Sequence, residues 1–256
     1  MNSPTAVSTH GSKSTRHLNH RQKSPDMLFE DPEFPCDDTS LGHAAALRLP
    51  SVTWRRASEL FPLAEAGPDL FNTIDPSDIA QGRLGNCWLL SAFSSLAEFP
   101  DSVKSSFITK ETSPEGRYTI RIFDPAAAAG RDQSPQSGEK PQDWVMVTVD
   151  DYLPCCDGKA VFATAPGGDF WVCILEKAYA KHMGSYSNLS TGFPAVALKS
   201  LTGCRTLMYT LAGGVATEMS FTNLSLRTLQ QSSTGISGFT TGASYSFPKF
   251  WDYLMV

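Results

Sequence analysis

Long apolar runs are missing: no stretch of this 256-residue sequence approaches the roughly 18–20 residues that a membrane-spanning helix requires. The N-terminus also lacks the apolar segment of a secretory signal, so a soluble, cytoplasmic protein is expected. Six cysteines include no CxxC pair, and without an export signal they read as reduced thiols rather than a disulfide framework. Five scattered histidines give no zinc-ligand spacing, and neither GxxxxGK[ST] nor GxGxxG is present to cradle a nucleotide phosphate. Acidic side chains are absent from residues 1–25, which hold Lys13, Arg16, Arg21 and Lys23. Without these four, 17 of the 21 basic residues remain against 26 acidic ones, a balance of −9 that argues against nucleic acid as a partner. What is present suffices to fold. With 41% hydrophobic and 18% charged residues, the chain is long enough to bury about 70–75% of its extended surface.

Residues 1–27 are Ser/Thr-rich and nearly free of apolar groups, so nothing offsets the entropy of ordering them, and a disordered tail is expected. An organelle transit peptide is also Ser-rich and acid-poor, but it needs an amphipathic helix, and with only Met1, Ala6, Val7 and Leu18 apolar in the first 25 residues a solvated tail is the preferred reading. Two prolines in the segment Phe29 to Pro35 impose an extended strap with apolar anchors. Helical spacing of Trp88, Leu89, Ala92, Phe93 and Leu96 predicts a helix over 87–96, and Phe170, Trp171, Ile174, Leu175, Ala178 and Tyr179 predict a second over about 170–182. Between them, alternation at Tyr118, Ile120 and Ile122 and at Val145, Val147 and Val149 predicts two paired strands. The Ala-rich, then Gly/Ser/Gln/Pro-rich stretch 124–143 reads as an insertion loop. Helices separated by strands imply an α+β domain. From about Gly203 the texture shifts to Thr, Ser and Gly, as in short strands of a second lobe, and a further helix is expected to begin at Phe250. The sequence stops about one turn into it, which reads as a fragment.

The chemistry is concentrated in the decapeptide from Gln81 to Leu90, which contains Gly82, Gly85, Asn86 and Cys87. A thiol in the first turn of a helix faces outward-pointing N–H groups and the positive end of the helix dipole, which favour thiolate and a developing oxyanion. Gly82 and Gly85 allow a sharp turn and open access to sulfur, and Gln81 offers a side-chain amide beside the Cys87 N–H. The bland alternative is a buried, inert cysteine on a helix face.

This decapeptide resembles the nucleophile segment of the calpain family of papain-like cysteine endopeptidases, with Gln six residues before the Cys and Trp directly after it. The resemblance continues through Phe29–Pro35, Trp54-Arg55-Arg56, Asp78-Ile79 and Trp144-Val145. It extends further through Val149–Pro154, Asp157-Gly158-Lys159, Phe170-Trp171, Leu175–Lys181 and Gly184-Ser185-Tyr186, in family order over about 28–204. It implies a papain-like fold with a complete, mainly helical Cys lobe at 28–204 and the start of a β-rich second lobe at 205–256. It further implies Cys87 as nucleophile and Gln81 as oxyanion-hole amide. Two departures stand out: Asn86 occupies the place of the usual Asp, and Thr73 that of a Gly carbonyl ligand. The family's calcium site falls on Asp78 and Asp169, hard oxygen donors that otherwise read as ordinary caps.

A cysteine peptidase also needs a general base and a residue to orient it, and neither a Gly-His-Ala nor an Asn-Pro-Trp type segment occurs. The histidine after Cys87 is His182, which reads as a C-terminal helix residue contacting the last carbonyls. Cys155-Cys156 are placed in a turn, Cys36, Cys173 and Cys204 in packing roles, and Asp150-Asp151 on opposite faces of a strand, where they do not converge. Two functions follow. The first is a calpain-type endopeptidase acting on intracellular proteins, inactive in this chain without the remainder of the catalytic core. The second is a catalytically silent calpain-like module that binds partner proteins or cytoskeleton, either function being compatible with attachment to membrane or cytoskeleton through other parts.

Overall fold

The computed structural model describes residues 28–49, 51–61, 68–126, 143–165, 168–204, 206–212 and 215–220. The basic tail, most of the Ala-rich insertion and the helix expected at Phe250 lie outside the described residues. An irregular strap comes first, fastened by the Phe29 N–H to the Glu115 carbonyl at 2.8 Å and by the Asp31 N–H to Asp150 Oδ2 at 2.7 Å. Short helices α1 (Asp38–Leu41), α2 (His43–Arg48) and α3 (Ala57–Leu60) flank strand β1 (Thr53–Arg56). A 3-10 turn, Pro76–Asp78, precedes α4 (Cys87–Ala97) and α5 (Pro100–Ser106). Then come β2 (Arg117–Phe123), β3 (Trp144–Asp150), β4 (Tyr152–Cys156) and β5 (Lys159–Ala160). After α6 (Trp171–Met183) follow a 3-10 turn, Tyr186–Leu189, then α7 (Pro194–Thr202) and a hairpin of β6 (Leu207–Ala212) and β7 (Val215–Ser220).

The mixture is α+β, with strands in small antiparallel groups: β1-β4-β5, β2-β3 and β6-β7. Register in the second pair sets Tyr118 opposite Val149, Ile120 opposite Val147 and Ile122 opposite Val145, all buried, so the predicted alternation forms one core face. The axis of the domain is α6, whose residues are all buried except Lys181. A helix covered on every side must neutralise any charge it carries inside. Lys177 does so through Asp150 Oδ1 and the Tyr152 carbonyl, at 2.5 and 2.6 Å. At the half-buried edge, Lys181 reaches Asp31 at 2.8 Å, Glu33 at 3.0 Å and the Thr148 carbonyl at 2.8 Å, drawing the strap onto α6.

Asp150 and Asp151 diverge as expected, the first to Lys177 and the second to Arg56 Nη1 at 2.5 Å. Four expectations need correction. Cys155 and Cys156 close strand β4 rather than lie in a turn, which falls instead at Asp157-Gly158, both with positive φ. Cys36 and Cys204 are exposed, and only Cys173 of the three serves the interior, donating its S–H to the Ala163 carbonyl at 3.0 Å. His182 pairs through Nε2 with Asp124 Oδ2 at 2.9 Å, a partner from outside its own helix, because β2 ends beside the last turn of α6 and a buried imidazole needs a polar partner. Asp169 does not cap α6, whose N-cap is Phe170 without a side-chain bond.

Candidate active site

Helix α4 opens at Cys87, and the thiol is exposed while Trp88, Leu89 and Leu90 immediately after it are buried. The turn before it supplies the reason. The Asn86 carbonyl accepts the amides of Leu89 at 2.9 Å and Leu90 at 3.2 Å, starting the helical ladder, so the amides of Cys87 and Trp88 precede the first residue with a partner inside α4. Trp88 fastens the opposite side, donating its indole N–H to the Leu189 carbonyl at 2.8 Å, with its ring packed so closely on Gly192 that a Cβ there would come within 2.4 Å.

The loop that delivers Cys87 lies along residues 161–164. Ala80 and Thr164 exchange backbone bonds at 2.9 and 3.0 Å, and the Arg83 N–H reaches the Val161 carbonyl at 2.8 Å. A Cβ on Gly82 would stand 2.3 Å from the carbonyl oxygens of both Val161 and Phe162. Gly82 is therefore required by close approach of two backbones, not by a left-handed turn. Gly85 is less constrained, since a Cβ there would stand 3.5 Å from the Ser190 carbonyl oxygen, an ordinary contact.

Gln81 is exposed, and its amide Nε2 donates to the Leu84 carbonyl at 2.7 Å, three residues along its own loop. One of its two N–H groups is thereby used, and the other is left to a further acceptor. Beneath the thiol, fully buried Asn86 donates from Nδ2 to Glu176 Oε1 at 2.6 Å. Glu176 also accepts the Ala163 amide, at 3.1 Å on Oε2 and 3.3 Å on Oε1. Sequence reading singled out Asn86 as a departure but missed its partner, since nothing in a helical pattern reveals that an acid 90 residues away faces it.

Of the two residues proposed for calcium, Asp78 ends the 3-10 turn and its side chain lies outside the described residues. Buried Asp169 accepts the Asn72 N–H at 3.1 Å on Oδ1 and the Thr73 N–H at 2.8 Å on Oδ2. Among the described residues, no group of three or more His, Cys, Asp or Glu side chains converges on a common point. No described helix is long and apolar enough to cross a membrane.

The model of the calpain family cysteine protease domain matches residues 29–244. Similar proteins include the calpain-type cysteine protease ADL1 of Oryza sativa subsp. japonica, 41% identical over 184 residues, which is 68% of this chain and 8% of that protein. Calpain-13 of Rattus norvegicus is 34% identical over 207 residues, covering 78% of this chain and 28% of its own length. The calpain-1 catalytic subunit of the same species is 36% identical over 190 residues, 72% of this chain and 24% of the relative. The chain thus spans less than a third of each of these relatives. With the match covering most of its length, and a cysteine exposed at a helix start behind a glycine-bearing loop, the chain belongs to the calpain family of cysteine proteases.

Proposed function

We propose that this chain carries the nucleophile half of a calpain-type endopeptidase that cleaves exposed, extended segments of intracellular proteins. The observation that carries the reading is the exposed Cys87 thiol at the first position of α4, with the surrounding loop packed and bonded in place. In the reaction, Cys87 Sγ attacks the scissile carbonyl carbon, forming an S–C bond. Its proton passes to an imidazole base, which then protonates the departing amine. Water hydrolyses the resulting thioester and restores the thiol. The Cys87 amide and the second N–H of the Gln81 side chain are assigned to the oxyanion.

No Gly-His-Ala type segment supplies the imidazole in this sequence. His182 is buried against Asp124 and serves the interior of α6 and β2. The base and its orienting Asn are accordingly assigned to a second lobe, for which residues 205–256 would be the beginning and 28–204 the complementary Cys lobe. The chain alone is expected to turn over a casein-like substrate negligibly. Measurable hydrolysis lost in Cys87→Ala would overturn that inactivity while upholding the nucleophile.

Calcium is a separate proposal. A carboxylate oxygen is chemically suited to the ion, and Asp169 with Asp78 would hold it, fixing the Asn72-Thr73 loop against the start of α6. Both Asp169 oxygens already serve amides, so backbone carbonyls would have to complete the donor set, and no step above passes through the ion. Calcium is expected to raise the Tm of the wild-type chain but not of Asp169→Asn; equal shifts in both, or none in either, would remove the proposal.

A further inference from the structure

The mechanism leaves unused a carboxyl group buried against Asn86, the residue that precedes the nucleophile. Glu176 lies in the middle of α6, 1% exposed, and its bonded partners are Asn86 Nδ2 and the Ala163 amide. Both donors are neutral, and no cation pairs with Glu176 among the described residues. An ionised carboxylate offers about four acceptor positions, so two neutral donors leave a buried charge poorly compensated. The same contact has a second deficit. Asn86 Oδ1 is buried and receives no hydrogen bond. One atom group has a surplus of accepting capacity and the other lacks a donor, and a single proton meets both needs.

We propose that Glu176 carries a proton, which it donates to Asn86 Oδ1, and that the resulting acid–amide pair positions the Asn86–Cys87 junction and keeps the interior behind the nucleophile uncharged. This rests on the reading of Cys87 as nucleophile. Within the pair, Nδ2 donates to one carboxyl oxygen while the carboxyl O–H returns to Oδ1. Two parallel bonds then fix the plane of the Asn86 side chain, and with it the residue whose carbonyl starts α4. Burial pushes the Glu176 carboxyl up to about 7, and the bonds from Asn86 and Ala163 pull it down less than burial raises it. The titratable groups facing it are Cys173 on its own helix and Tyr186 on the following turn. Burial pushes both up, so both are uncharged near neutrality and neither supplies the positive charge that would favour an ionised Glu176. Asp in place of Asn86 would set two acids against each other over one proton. Asn86 removes that conflict and leaves one exchangeable proton behind the thiol.

As pH rises and Glu176 ionises, a buried negative charge would appear behind Cys87, opposing both thiolate and oxyanion. Glu176→Gln keeps the paired bonds without the charge. Cys87 alkylation by iodoacetamide, resolved peptide by peptide in the intact chain from about pH 5.5 to 9, tests this. The variant is expected to react roughly threefold or more faster than wild type at about pH 8.5, and the two to converge below about pH 6. Superimposable profiles would overturn the proposal. If Cys204 is labelled while Cys87 is not, the nucleophile reading fails and the acid–amide pair is decided separately. That decision comes from a carboxyl-carbon NMR titration of the wild-type chain, which requires no variant to fold. A Glu176 signal titrating near pH 7 supports the pair, and one already ionised at about pH 5.5 overturns it.

Discussion

Lys177→Met should destabilise the folded chain by about 3–5 kcal/mol, the range for removing one partner of a buried ion pair. Lys177 is fully buried in α6, and Asp150 is nearly so at the end of β3. Asp150 also accepts the amides of Tyr152 at 2.9 Å and Asp31 at 2.7 Å, so three chain segments meet at one carboxylate. Without the ammonium group, that carboxylate is left in the interior with neutral donors alone. Methionine approximates the length and volume of the lysine stem, which keeps cavity formation from dominating the result. Urea denaturation measures the loss, and Asp150→Asn in the Lys177→Met background should recover part of it, since the stranded charge is gone. A loss under about 1 kcal/mol would show that the pair does not neutralise the centre of α6 as described.

Glu176→Gln should produce the opposite trend, with a sign that depends on pH. The Glu176 carboxyl is raised from 4.5 to about 7 in the folded chain. Between those values the folded state holds a proton that the unfolded state has released. Stability contributed by this group is therefore fully present below about pH 4.5 and falls as pH rises through 7. At about 1.36 kcal/mol for each pH unit, the wild-type chain loses on the order of 3 kcal/mol across that interval relative to a variant that cannot ionise. Glu176→Gln should gain on wild type from pH 5 to pH 8 and then run parallel to it, as read from chemical denaturation at each pH. A difference that stays flat over that interval would mean that Glu176 ionises in the folded chain as readily as in the unfolded one.

These two neighbours on α6 show what the sequence makes legible and what it hides. Apolar spacing alone located α4, α6 and the β2–β3 pair, because a core face repeats with the period of its element. The same pattern said nothing about Glu176 and Lys177, which sit among buried residues and are explained only by Asn86 and Asp150 arriving from elsewhere in the chain. Helix α7 carried local signals that went unread, Pro194 at its first turn and Gly203 in the left-handed C-cap. Helices α1 to α3, at 4 to 6 residues, are too short to establish a period. Around the nucleophile, Gln81 to Leu90 was recognisable as a unit, yet the need for Gly82 came from contact with the carbonyls of Val161 and Phe162, which local turn chemistry could not reveal. Likewise His182 was assigned to its own helix end when its partner, Asp124, lay at the end of a strand.

Cys87, Cys36 and Cys204 are all exposed, which allows a direct comparison within one molecule. Cys36 provides a slow reference, because desolvation pushes its thiol up to about 11 despite the pull of Lys177. The most direct measurement is the alkylation rate of each thiol in the native chain at neutral pH, read by peptide mass spectrometry. Cys87 should react faster than Cys36 in the native chain, and the difference should close when the chain is unfolded in urea, because the desolvation that raises the Cys36 thiol exists only in the fold. A Cys87 that is protected in the native chain, or that reacts no faster there than Cys36, would contradict its assignment as the exposed nucleophile.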